Sequence, residues 1–461
     1  MAEDDRGAII VLLYVLAVIL PIGFDIGTIA MTVLRLLLLI MIVPLGIRLF
    51  SGGLGKIYPT DWLLVLHCLW SFVSIGVNNP NRVVENAGAY SLELLGGYLI
   101  GRAYIRSPAA FYRLIRYVLI FAVLSLPFAI VESQTGRAVI IGILESIPGI
   151  KTVAQVDIAP RLGLHRSQVV FAHPIHYGLF CTSVLALSWI GMRGVTSGAA
   201  RYLGVFAVLA AVFLSLSSGA LLAALLQIGL IAWNAIFRNV ERKWSILVGL
   251  FALAYIVIDL LSNRTPLRVF MSYATFSAHN AFYRAIIFEW GMINVWNNPI
   301  FGLGLRSWIR PSFMKSGSID NFWLVAAVKF GFPGFLTLAG AYADAMWRIG
   351  RRRLAPGSAL SDLRLAWMIT FVGLTFTLAT VHIWTSIFSY VFFLLGAGMW
   401  MINAPEAGLA PVQPPDAPER TGGPMWSRPA PELKLTRDRS ETPARPRQDT
   451  RRYTRFDGSD G

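Results

Sequence analysis

Apolar residues along this chain come in long unbroken runs rather than in alternation with polar ones. "AIIVLLYVLAVILPIG" (8–23) and "MTVLRLLLLIMIVPLGI" (31–47) are the first two. A hydrocarbon core of about 30 Å is crossed by about 20 helical residues. Backbone groups in lipid must be satisfied within the segment, and the runs lack a barrel's period of two, so helices are expected. The pattern predicts about 12 spans, at 7–24, 27–47, 60–77, 84–102, 111–131, 168–190, 201–216, 219–237, 244–261, 320–345, 363–381 and 384–402. The expected fold class is all-α, a polytopic transmembrane helical bundle. The stretch "ENAGAYSLELLGG" in the fourth run is polar for lipid and is expected to pack inside the bundle. The seventh and eighth runs are split only by "LSLSSGA".

Composition agrees: 56% of the 461 residues are hydrophobic and 14% charged, against roughly a quarter charged in soluble domains. "MAEDDR" before the first run is mostly acidic, and no small-residue cleavage site follows, so the run reads as a span rather than a removable signal. Cys68 and Cys181 lie in apolar runs and read as small packing residues, without a metal or disulfide pattern. The loops at 102–116, 191–201, 238–243 and 348–364 are basic, and they alternate with turns at 24–27, 78–80, 217–219 and 382–384 that contain no Lys or Arg. The positive-inside rule then puts both termini in the cytoplasm. The two longest loops, 132–167 and 262–319, face outside although they carry Arg and Lys. Long loops translocate largely regardless of charge, so those external arginines need another explanation. Residues 1–402 form the membrane domain. The tail, 403–461, is rich in Pro and Arg and is expected to be disordered. Its opposite charges nearly cancel, so the net +15 belongs mainly to the membrane part, and no nucleic-acid partner is expected.

The external loops carry the candidate chemistry. The first ends "APRLGLHRSQVVFAHPIHYGLF", offering Arg161, His165, Arg166, His173 and His176. Arg161 sits in a Gly-containing turn. His173 and His176 flank a proline where a span begins, and they suit a helix cap, a headgroup contact or a substrate contact. No Asp, Glu or Cys joins them at ligand spacing, so neither a metal nor another cofactor is expected. In the second loop, "AFYRAIIFEWGMINVW" (281–296) is helical in character but broken by Arg284, Glu289 and Asn294. With Trp290 and Trp296 it reads as a helix lying in the membrane boundary. "NNPIFGLGL" ends it, with Gly302 and Gly304 allowing a tight turn. Arg306 and Arg310 follow, able to reach headgroups or substrate. Arginines at a bilayer surface suit the oxygens of a diphosphate. A lipid-linked diphosphate sugar presents that group there, and fixed cations stabilise the charge that grows as the glycosidic bond breaks. Asp320, in "GSIDNFW", is placed to accept a proton from an acceptor hydroxyl or to cap the helix that follows.

The order of these motifs, "RLG…FAHPIHYG", "SLSSGALL", "YR" followed by "NNPIFGLG", then "DNFWLVAAVKFGFPG", resembles the O-antigen ligase and Wzy-type polysaccharide polymerase superfamily. The similarity covers roughly 150–340 in motifs and 1–402 in span count. The resemblance implies a metal-independent glycosyltransferase of the bacterial inner membrane, acting at the periplasmic face on an undecaprenyl-diphosphate-linked glycan. Its partners are then membrane lipids and other polysaccharide assembly proteins. It implies that Arg284 holds the diphosphate, with Arg161, Arg166 and Arg306 as further positions, and that Asn321 stands in the substrate-facing motif. Ligases of the family typically have His where this chain has Asp320, and many members have Arg where it has Ser218. These departures favour polymerisation of repeat units over transfer to a lipid A core. Two other classes remain open on the residues alone. A transporter would show internal repeats with broken helices near the midplane, and no clear repeat is visible. A scaffold would act through the tail.

Overall fold

The computed structural model describes residues 2–27, 29–262, 269, 278–314 and 316–405. The expected disordered tail lies outside the described residues beyond position 405. In chain order the elements are α1 (Ala2–Ile19), a hairpin of β1 (Gly23–Ile26) and β2 (Ile29–Thr32), α2 (Val33–Phe50), α3 (Pro59–Asn78), α4 (Val83–Tyr104), α5 (Pro108–Thr135) and the short α6 (Val139–Glu145). Then come α7 (Pro174–Thr182), α8 (Gly198–Leu214), α9 (Ser218–Ile236), α10 (Lys243–Leu261), α11 (Ala278–Asn297), α12 (Phe322–Gly350), α13 (Ala359–Thr377) and α14 (Thr385–Gly398).

The all-α bundle is as expected, but the span count is lower. Among the described residues, nine helical segments are long and apolar enough to cross a membrane, including Pro174–Gly191, which runs from α7 into a π-helical turn. The expected spans at 7–24, 84–102 and 201–216 are the helices α1, α4 and α8. α1 opens with acids, α4 carries Glu85, Glu93 and Arg102, and α8 has 17 residues. The turn expected at 24–27 is instead a small antiparallel hairpin, pinned to the first long loop by reciprocal hydrogen bonds between Gly23 and Lys151 of 2.7 and 2.9 Å.

Local signals explain the helix starts. Ser107, Ser217 and Ser358 accept hydrogen bonds from the amides three residues on, at 3.2, 3.3 and 3.2 Å, capping α5, α9 and α13. Pro108 at the first position of α5 and the left-handed Gly136 after it bound that helix at both ends. α4 packs inside the bundle, as its polar face predicted. A Cβ on Gly97 would lie 2.4 Å from the Ser389 carbonyl oxygen, and one on Gly396 of α14 would lie 2.1 Å from the Tyr98 carbonyl oxygen. Small residues let these two backbones approach where lipid supplies no hydrophobic drive between helices.

α12 is broken. Gly331 has φ 69° and ψ −174°, outside helical values, with Pro333 just beyond. The carbonyls freed at the break find partners: Leu303 N–H donates to Val328 at 2.8 Å, Gly304 N–H to Lys329 at 2.9 Å, and the Trp70 indole to Phe330 at 2.8 Å. The "GLG" turn therefore clasps the break. Gly302 and Gly304 have φ of 60° and 59°, and a Cβ on Gly302 would lie 2.5 Å from the Lys329 carbonyl carbon.

Cross-loop hydrogen bonds gather one set of loops at a single end of the bundle. His165 N–H donates to Ser133 at 2.8 Å, Ser167 N–H to Leu214 at 3.1 Å, and Phe322 N–H to Val381 at 3.0 Å. The Asn79 side chain accepts from Leu305 N–H at 2.8 Å.

Candidate functional site

Each candidate side chain at this loop-rich end is held by its own local device. Arg161 and Leu164 exchange backbone hydrogen bonds of 2.9 Å around Leu162 and Gly163, both at positive φ (53° and 77°). This tight turn fixes Arg161, whose guanidinium donates to the Leu216 carbonyl at 2.8 Å across the bundle end. The chain then turns into the membrane because the Glu132 carboxylate accepts from the amides of Gln168 and Val169 at 2.9 and 2.8 Å. Arg166 is thereby set over the end of α5. Arg284 comes from α11, which is helical as expected and docks on α12, where a Cβ on Gly291 would lie 2.6 Å from Leu324.

Asp320 does not cap α12. Asn321 does, accepting from Leu324 N–H at 3.0 Å, while Asp320 stands one residue earlier, exposed, and accepts from the Ser318 hydroxyl at 2.9 Å. The expected cap belongs to the neighbour because an N-cap oxygen must reach the amide three residues on, and Asn321 has that register. The Asn321 side-chain oxygen is committed to the helix, and the Asp320 carboxylate is left facing the cavity.

Arg161, Arg166, Arg284 and Asp320 line one cavity of about 140 Å³, with Ser218, Gly219 and Tyr283 beside them. Three guanidinium groups and one carboxylate leave a net of about two positive charges at neutral pH. Burial lowers the pKa of all three arginines. For Arg166, burial and the neighbouring Arg161 push it down to about 10, still charged at neutral pH. Asp320 acts the other way on Arg284, favouring its charged form. Arg284 Nη1 and Arg166 Nε are buried without a hydrogen-bond partner among the described residues. Buried unpaired guanidinium nitrogens are costly, so a ligand with acceptor oxygens gains what the protein leaves unsatisfied. Ser218 sits at the start of α9, where it adds a hydroxyl rather than a fourth cation.

The other expected residues lie elsewhere. His173 is the N-cap of α7, accepting from Ile175 N–H at 3.1 Å. Burial, then Arg166 and Arg161, push its pKa down to about 4, so it is neutral at pH 7. His176 is fully buried against Trp384, with ring centroids 4.1 Å apart, and neither nitrogen has a hydrogen-bond partner among the described residues. Neither histidine lines the arginine cavity; Ile175, between them in sequence, does. Arg306 lines a separate cavity and donates to the Asn78 side chain. Among the described residues no three His, Cys, Asp or Glu side chains converge at metal-ligand spacing. Lys329 and His382, which also line that second cavity, were not singled out in the sequence, although a lysine inside the run "LVAAVKFGFPG" was a visible signal.

A bundle of apolar helices with a basic, carboxylate-bearing cavity among its loops defines a multi-pass membrane protein that can hold an anion beside a proton acceptor. A family model described as O-Antigen ligase (Wzy_C) matches residues 203–339. The resemblance to the O-antigen ligase and Wzy-type superfamily is borne out over that stretch. The stretch takes in Ser218, Arg284, Arg306 and Asp320, whereas Arg161 and Arg166 precede it. No curated protein matches the chain significantly.

Proposed function

We propose that the protein polymerises undecaprenyl-diphosphate-linked oligosaccharide repeat units at the periplasmic face of a bacterial inner membrane, with both termini in the cytoplasm. The reading rests on one observation: Arg161, Arg166, Arg284 and Asp320 share a cavity whose buried guanidinium nitrogens include unpartnered ones. In this reading the arginines bind the diphosphate of the donor. An acceptor hydroxyl attacks the donor's anomeric carbon, and the bond from that carbon to the diphosphate oxygen breaks. The electron pair leaves with undecaprenyl diphosphate, whose growing charge the guanidinium groups stabilise. The hydroxyl proton passes to the Asp320 carboxylate. A net charge near +2 matches the two negative charges of the diphosphate diester.

Transfer of a finished glycan to a lipid A core or another acceptor is a second reading, supported by the ligase description of the matched family. Both readings use the same donor cavity. The deciding experiment incubates the purified protein in nanodiscs with polyprenyl-diphosphate-linked repeat units and EDTA, and reads glycan length by mass spectrometry. Ladders of longer glycan support the polymerase, and Asp320→Asn then removes them. An intact donor with no lengthening, followed by transfer once lipid A core is added, supports ligation. No turnover with either acceptor overturns both and leaves transport of lipid-linked sugars.

A further inference from the structure

The segments 318–320 and 381–382 stand between two cavities. Asp320 and Val381 line the arginine cavity, while Ser318, Ile319 and His382 line a larger one of about 380 Å³. Ser318 joins the two, because it lines the second cavity and its hydroxyl donates to Asp320 at 2.9 Å. The second cavity is lined by Arg306, Arg310, Lys329 and His382 and, among the described residues, by no Asp or Glu. Its size falls in the range of small-molecule sites.

Lys329 is the informative member. It lies on the first half of the broken helix α12, in a run that is otherwise apolar from Phe322 to Phe330 apart from this residue. Its backbone is fixed, since its carbonyl accepts from Gly304 N–H at 2.9 Å and from the Ser74 hydroxyl at 3.0 Å. Its ammonium makes no hydrogen bond or ion pair among the described residues, and it remains open to solvent within the cleft. A lysine inside an apolar run, with no acid beside it among the described residues and its head open to the cleft, is placed to meet an anionic ligand. Arg306 and Arg310 add to that positive charge, and among the described residues no acid offsets them in turn. They donate to the Asn78 side chain and, at 3.2 Å, to the Met314 carbonyl, both neutral acceptors.

We infer that this second cavity is the acceptor subsite, and that it recognises a sugar carboxylate, as in a hexuronic acid, on the glycan that attacks. Lys329 and Arg310 pair with the carboxylate, and a neighbouring hydroxyl of the same sugar is presented toward Asp320 past Ser318. The inference rests on the proposed transferase reading and adds the acceptor's chemical class to it. A lipid phosphate offers comparable charge, and the test separates the two.

The full chain is placed in phosphatidylcholine nanodiscs, and binding of a glucuronate-containing disaccharide is compared with that of its carboxyl-reduced counterpart. The uronate is expected to bind about tenfold tighter or more, the scale of one charge-assisted pair. Lys329→Met removes the preference and Lys329→Arg retains it, with thermal melting confirming that both variants are folded. Equal binding of the two disaccharides by the native chain overturns the inference. So does a preference that persists in Lys329→Met and Arg310→Gln alike. Loss of the preference when phosphatidylglycerol replaces part of the phosphatidylcholine also overturns it, assigning the cavity to lipid phosphate. The same disaccharides are then offered as acceptors with the lipid-linked donor. Uronate preference in binding without any transfer sinks the transferase reading and leaves the carboxylate site standing. Transfer without preference does the reverse.

Discussion

The two ends of the bundle use the same residue type to opposite effect. At the end opposite the arginine cavity, Arg102 is almost completely buried and faces Asp61 at 3.5 Å, donates to the Lys56 carbonyl at 2.8 Å, and lies over the Tyr58 ring. Asp61 also accepts from the Tyr98 hydroxyl at 2.5 Å and from Tyr58 N–H at 2.7 Å. Arg348 pairs with Asp344 at 2.7 Å, and Asp344 accepts from the Thr60 hydroxyl at 2.8 Å. Arg102 and Arg348 each have an acid, and the network holds α3, α4 and α12 together. At the loop-rich end, Arg161, Arg166 and Arg284 converge on one cavity with a single carboxylate, Asp320. A buried cation with its own acid is structural; three cations sharing one acid are arranged for an anion that comes from outside. The difference separates scaffold from site without reference to sequence position.

Substitutions at the two ends should therefore fail differently. The largest effect is expected for Asp61→Ala, which leaves Arg102 buried without its counter-charge at a cost of about 3–5 kcal/mol. It should appear as a lower melting temperature and poor yield in detergent. A variant that melts like the native chain would break the comparison. Arg284→Ala should leave melting and insertion unchanged while lowering the rate of glycan lengthening about 100-fold or more. Normal polymer length in that variant would remove Arg284 from the site. Arg161→Ala should cost less, about tenfold, because its guanidinium is partly committed to the Leu216 carbonyl; steady-state rates at saturating and limiting donor would show whether binding or turnover suffers.

The smallest effect concerns acidity. His173 has its pKa pushed down to about 4 in the folded chain, against about 6.5 unfolded. Between those values the unfolded chain binds the extra proton, so stability falls as pH drops from about 6.5 toward 4 and levels off below. After discounting for partial exposure, the loss is on the order of 1–2 kcal/mol. His173→Asn, which keeps a capping oxygen, should flatten that slope in melting curves taken across the window. An unchanged slope would assign the pH dependence to other groups.

Much of the scaffold was legible in the chain. The apolar runs predicted most helices to within a few residues, and "ENAGAYSLELLGG" marked the interior helix α4. The helix around Arg284 and the tight turn at Gly302 and Gly304 were readable, though the turn's partner, the break at Gly331, was not. The hairpin at 23–32 was hidden because its strands are only four residues each and the second, "IAMT", reads as the start of the run that follows. Asp320 and Asn321 were both noticed, but the cap went to Asn321, since a shift of one residue decides which oxygen reaches the amide of Leu324.

By itself, the sequence determined that the chain is helical and membrane-embedded, because those properties follow from the length and composition of local runs. It also marked the arginines, since charge near lipid is costly wherever it stands. Only the tertiary structure decided that Arg161, Arg166 and Arg284 meet at Asp320 while Arg306 joins Lys329 and His382 across the wall. That choice depends on how helices distant in sequence pack and on which loops they bring to one end. Run length and spacing carry no record of either.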